Sequence, residues 1–252
     1  MTINIQRYKV PSFARAPRTQ PISLVCIHAT RGATTMDKQY QATVNWFTNP
    51  PNLGGYAPAA DVVIGAKGEV GEFWVPDANG NESDWRTSHA TWAAGYGNGN
   101  VPEWGVDEVA LSIEMAQPAP VNGVYEPFTQ ASIDALVEFL TQRFQWGMLP
   151  GVALRHVDFL DQRRDWKPPS GFVGHDRTEN GVKLGKSDPG PLFPINEVLA
   201  RIGAAIAPPP PPIDHRKRVL ELLEELTSEV EAMYVVADDG GQERVGSFTE
   251  GL

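Results

Sequence analysis

Two kinds of apolar spacing alternate along most of this chain. In "PISLVCIHAT" a two-residue period puts Ile22, Leu24, Cys26 and His28 on one face of a buried strand. "TTMDKQYQATVNWF" then spaces Tyr40, Val44 and Phe47 as a helix does. "DVVIGAKGEVGEFWV" reads as two strands around a turn at Lys67-Gly68. "VALSIEM" (109–115) is a further strand, with Val109, Leu111, Ile113 and Met115 facing one way and Ala110, Ser112 and Glu114 the other. "FTQASIDALVEFLTQRFQWG" is the strongest helix. Thr129 caps it, Phe128 and Ile133 occupy the staple positions, and Gly147 ends it. Its stripe is Ile133, Leu136, Val137, Leu140 and Phe144. Strands interleaved with helices predict an α/β domain.

The pattern breaks at "APPPPPPI" (207–213), where the run Pro208 to Pro212 favours an extended polyproline spacer. This divides the chain into a main region (1–206), a linker (207–213), a helical segment (214–237) and a polar tail (238–252) that reads as disordered. Within the helical segment, Asp214 is a plausible N-cap. Val219, Leu223, Leu226, Val230 and Met233 form a heptad seam shorter than a sustained coiled coil. Two readings stay open: a helix docked on the main domain, or a homo-oligomer formed through 214–236.

Composition narrows the function. The 252 residues are 41% hydrophobic, enough for a sizeable core. A formal charge of −10 argues against nucleic acid and against anionic membrane surfaces as partners. The single cysteine excludes an internal disulfide. "MTINIQRYKVPSFARAP" has no apolar core of a signal peptide, and no window approaches the roughly 18 apolar residues of a membrane span. The expectation is synthesis in the cytoplasm without membrane insertion, with release by a holin-type pore if the protein works on the wall.

The chemistry concentrates in "VGHDRTENGVKLGKSDPGPLFP" (173–194), a loop with few core-forming residues. Taken singly, His28 at a strand end, His175 in a Gly-flanked loop and Asp188 before Pro-Gly are each ordinary rim or turn residues. Together they supply two imidazoles and one carboxylate, the donor set of a catalytic zinc site with an open position. A metal there would also pin a loop that lacks an apolar interior. The spacing itself matches no short metal motif.

"VCIHAT", "VALSIEM" and the ending Gly-His, polar loop, Lys-x-Asp-Pro-Gly-Pro, Phe-Pro together resemble the type 2 N-acetylmuramoyl-L-alanine amidases. That family shares its fold with the peptidoglycan recognition proteins and with bacteriophage lysis amidases. The resemblance runs from about residue 20 to 200. It implies a central mixed β-sheet flanked by helices, Zn2+ on His28, His175 and Asp188, and peptidoglycan (a muramyl peptide) as substrate. It implies catalytic roles for Glu114, near the attacking water, and for Lys186, at the scissile carbonyl oxygen. Residues 1–206 are then a zinc amidase domain.

The chain also departs from the family. Where many members carry a tyrosine or histidine before the strand "DVVIG", this chain has Ala59-Ala60-Asp61, which shifts weight onto Glu114. The family's Trp-His-Ala-Gly segment appears as "SHATWAAGYGNGN", so His89, Trp92 and Tyr96 are the candidate substrate-binding residues. Cys26 reads as a small buried hydrophobe, and His156 and His215 as surface residues. The reading is a phage lysis amidase. Its alternatives are a non-catalytic peptidoglycan-binding module and a cytoplasmic wall-recycling amidase.

Overall fold

The computed structural model describes residues 3–12, 15–32, 34–50, 60–76, 81–82, 86, 88–90, 106–160, 169–207 and 222–230. The chain divides into two compact units, Met1–Ala207 and Pro208–Leu252.

The first unit is built on a mixed six-stranded sheet. Its strands are β1 (Ile5–Lys9), β3 (Leu24–Ala29), β4 (Val62–Ile64), β5 (Val70–Trp74), β7 (Ala110–Met115) and β8 (Gly171–Gly174). Their order across the sheet is β1-β5-β4-β7-β3-β8. Only β4 and β5 run antiparallel, joined by the tight turn at Gly68 (φ 83) that the sequence places there. β2 (Arg15–Pro17) and β6 (Ser88–Ala90) form a separate antiparallel ribbon.

Helices cover both faces, as a mostly parallel sheet requires. On one face, α3 (Gln130–Gln145) and α5 (Ile195–Ile206) bury Leu136, Leu140, Val198 and Ile202 against Val25, Ile27, Ile113 and Phe172. On the other, α1 (Met36–Thr48) packs Tyr40, Val44 and Phe47 against Val63 and Phe73. The side chain of Thr129 accepts from the Ser132 backbone N–H at 3.1 Å, the capping bond that the sequence predicts for α3.

Two facing assignments change. Ile22 packs with Val25 and Ile27, opposite Leu24 and Cys26, because extended alternation begins only at Leu24. Val109 packs with Ala110 and Leu24, because it closes the helical turn α2 (Val106–Val109) instead of starting β7. Within β7 itself the alternation holds: Leu111, Ile113 and Met115 join the α3 side.

The central strands β3 and β7 share one burial pattern. Each is buried throughout except at its fifth residue, His28 in β3 and Glu114 in β7. Those two positions are register partners. At the carboxyl ends of these strands the sheet turns from core to chemistry.

In the second unit, residues 222–230 are helical, with Leu222, Leu223, Leu226 and Val230 exposed. Asp214, Val219 and Met233 lie outside the described residues, as do residues 238–252. No helix among the described residues is long and apolar enough to cross a membrane.

Candidate metal centre

β3 delivers His28 to the rim of the sheet. Beside it, β8 ends at Gly174, and His175 opens the 3-10 turn His175–Arg177. The helical turn α4 (Glu179–Lys183) follows, and the chain then doubles back to bring Asp188 over the same spot. The return is fastened through the backbone. Asp176 N–H donates to the Asp188 carbonyl at 2.7 Å, and Lys186 N–H to the Gly181 carbonyl at 2.8 Å. The Thr178 hydroxyl donates to the His175 carbonyl (2.9 Å) while accepting from Gly181 N–H (2.9 Å). Gly181 is obligatory here, since a Cβ on it would lie 1.9 Å from the His175 oxygen. The loop therefore owes its shape to hydrogen bonds as well as to any ion.

Three donor atoms converge. Asp188 Oδ2 lies 3.0 Å from His175 Nδ1 and 3.6 Å from His28 Nδ1. One donor atom from each residue falls within 4.8 Å of the others, which makes this a potential metal-holding group among the described residues. Ligands about 2.0–2.1 Å from a tetrahedral zinc stand about 3.3 Å apart, so the two measured separations straddle the ideal edge. The residues fit the ion in donor type and number, and both separations from Asp188 suit it.

The electrostatics agree. Burial disfavours ionised Asp188, but the hydrogen bond from His175 and the imidazole of His28 close by outweigh it and hold the carboxyl well below the usual range. Burial, then the charge of His28, pushes His175 down, which favours the neutral imidazole that a metal needs. For His28, burial opposes protonation, yet Cys26, Asp188 and Glu114 together hold it well above its ordinary value. A cation in this cluster would replace the proton that His28 otherwise keeps.

The remaining candidates distribute unevenly. Glu114 stands level with His28 on the adjacent strand, half-buried. Lys186 is exposed, and its charge contributes to lowering His175. Cys26 is 1% exposed and packs with Leu24 and Val173, as a buried hydrophobe should. The His89 backbone pairs with Ala16 in the β2–β6 ribbon. Trp92, Tyr96 and His215 lie outside the described residues.

His156 corrects its sequence assignment. It is half-buried, with Nδ1 3.2 Å from Asp158, and its backbone pairs with Phe172 at the sheet edge. It lines a 480 Å³ cavity with Tyr125, Asp176, Arg177 and Lys186. His28, His175 and Asp188 do not line that space, although their chain neighbours Gly174, Ser187 and Pro189 do. Nothing in the local sequence around His156 distinguishes this place from solvent, because a long-range backbone pairing puts it there.

Asp61, which stands at the departure from the family pattern, is buried in an ion-pair network. It pairs with the buried Arg15, lies 3.7 Å from Arg18, and accepts from Ser112 N–H at 2.8 Å. Arg15 also donates to the Ala60 and Ser88 carbonyls at 3.1 and 2.8 Å. The network ties the β2–β6 ribbon to the strand that carries Glu114.

The family model described as N-acetylmuramoyl-L-alanine amidase matches residues 18–191, more than half of the chain. This chain belongs to that family. The amidase is similar to several solved structures. With Drosophila peptidoglycan recognition protein SA it shares 16% identity over 78% of this chain and 91% of that one, with a TM-score of 0.44. With an AmpD derivative the figures are 17%, 82%, 100% and 0.45. With a mutant endolysin from Bacillus subtilis they are 15%, 82%, 100% and 0.45. Among curated proteins, none matches the sequence significantly.

Proposed function

We propose that this amidase hydrolyses the bond between N-acetylmuramic acid and L-alanine in peptidoglycan with zinc held by His28, His175 and Asp188, and that it serves as a phage lysis enzyme reaching the wall through a holin-type pore. The observation that carries the zinc reading is the convergence of three donor atoms within 4.8 Å of one another, with Asp188 at 3.0 and 3.6 Å from the two imidazoles.

Zinc bound there supplies a water of lowered pKa and polarises the scissile carbonyl. The protein's own groups do the rest. Glu114, beside His28, accepts the proton of the attacking water and returns it to the departing L-alanine nitrogen. Lys186 donates to the oxygen that gains charge as the carbonyl becomes tetrahedral. The Ala29 N–H, 3.4 Å from Asp188 Oδ2, helps to orient that carboxylate.

The test pairs metal analysis of the purified protein with mass spectrometry of digested walls. One zinc per chain, with new N-terminal alanine on released stems, is expected. Cleavage within glycan strands or between stem residues would refute the bond assignment, and zinc-free protein of full activity would refute the metal.

A further inference from the structure

Three residues beyond His28 in the chain, Arg31 makes a set of contacts that sequence reading did not single out. Its Nη2 donates to the Pro189 carbonyl at 2.5 Å, one residue past Asp188. Its Nη1 donates to Gln117 Oε1 at 3.2 Å, and its guanidinium lies 4.5 Å over the Tyr125 ring. Gln117 is 1% exposed and is itself held, with its Nε2 donating to the Glu126 carbonyl at 2.6 Å and its N–H to Thr30 Oγ1 at 3.1 Å. The guanidinium thus bridges the rigid ends of β3 and β7 to the turn that carries Asp188.

Two further features are shaped around this bridge. Arg31 has φ 50, a left-handed conformation that costs a non-glycine residue free energy and persists where surroundings impose it. Gly190, at φ +88, leaves room for the bridge, since a Cβ there would lie 2.6 Å from Arg31 Nη2.

Resting on the zinc reading above, we infer that Arg31 is a positioning residue that sets the metal affinity by fixing the Asp188–Pro189–Gly190 turn against the sheet. His28 and His175 leave the ends of adjacent strands and are placed by the sheet itself. Asp188 is not. It comes from a polar loop, so its distance from the imidazoles depends on what fastens that loop. A forked guanidinium stacked on an aromatic ring and anchored to a buried amide does so with little freedom left to lose.

The test is zinc affinity by chelator competition for the full chain and for Arg31→Ala and Arg31→Lys, beside the thermal midpoint of each metal-free protein and steady-state kinetics at limiting and excess zinc. Arg31→Ala should weaken zinc binding roughly 10- to 100-fold, the usual effect of losing a group that orients a ligand. Excess zinc should restore most of kcat, with KM little changed. Arg31→Lys, which keeps the charge without the fork, should fall between. If Arg31→Ala does not fold, the Lys variant decides. Unchanged zinc affinity in both variants overturns the inference, as does a rise in KM alone, which would mean that Arg31 holds substrate instead. No zinc binding by the wild type would overturn the zinc reading, and this inference with it.

Discussion

His28 and Glu114 stand side by side at the same level of adjacent parallel strands, each the least buried residue of an otherwise buried strand. The pairing puts a potential ligand and a potential proton carrier at one point on the rim of the sheet. It also separates two roles that a single histidine variant would blur.

Removing a ligand should remove the ion. Asp188→Ala is expected to lose most of the zinc measured in the wild type by elemental analysis, with activity gone at any substrate concentration. Retention of stoichiometric zinc would take Asp188 out of the site.

Removing a proton carrier should not. Glu114→Gln keeps shape and polarity, so zinc content should hold while turnover falls by roughly 10²–10⁴. Lys186→Ala should likewise retain zinc and lose roughly 10²–10³ in rate. Near wild-type turnover by Glu114→Gln would show that its carboxylate contributes packing and no proton transfer.

Zinc binding should release protons. With His28 held above its ordinary value, the metal-free protein keeps a proton there to higher pH than a free imidazole would, and the ion must displace it. Apparent affinity should therefore climb as pH rises through the raised His28 value and then level off. Asp188, held low, is already ionised across that range and adds no slope. Calorimetry in two buffers of different ionisation enthalpy measures the proton count, and a count of zero would contradict the assigned state of His28. The same shifts set the stability of the metal-free protein. The share from His28 is complete below its unfolded value and is lost as pH rises through the folded one. The share from Asp188 is present above its unfolded value and is lost as pH falls through the depressed one.

Breaking the Asp61 network should be costly. Asp61→Ala leaves Arg15 buried without its counter-charge, with a penalty of about 3–5 kcal/mol typical of a half-removed buried pair. Urea denaturation reads it directly. A change within about 0.5 kcal/mol, the range of ordinary surface substitutions, would mean that water reaches Arg15 and solvates it.

The segment after the prolines should be separable from the chemistry. A chain ending at Ala207 is expected to fold and to cleave soluble muropeptides at close to the parent rate. Sedimentation of the two lengths tests self-association through the exposed Leu223, Leu226 and Val230. A truncated protein that misfolds would favour a helix docked on the amidase domain.

What this sequence determined by itself is local in origin. The caps and stripe of α3, the turn at Gly68 and the buried runs of β3 and β7 all follow from residues within a few positions of one another, whereas His28, His175 and Asp188 are legible only as a set and through the family resemblance. Periodicity and turn chemistry act at that range. Even there the alternation failed at Ile22 and Val109, because it holds only where the backbone is already extended. The tertiary structure decided everything that depends on which distant segments lie together. Strand register made neighbours of His28 and Glu114, which are far apart in the chain. A pairing with Phe172 drew His156 to the cavity. Asp61 found its counter-charge 46 residues away, and Arg31 its carbonyl 158 residues away. Such contacts form only after the chain has met the entropic cost of closing long loops, and a side chain's type does not say which distant partner will be waiting.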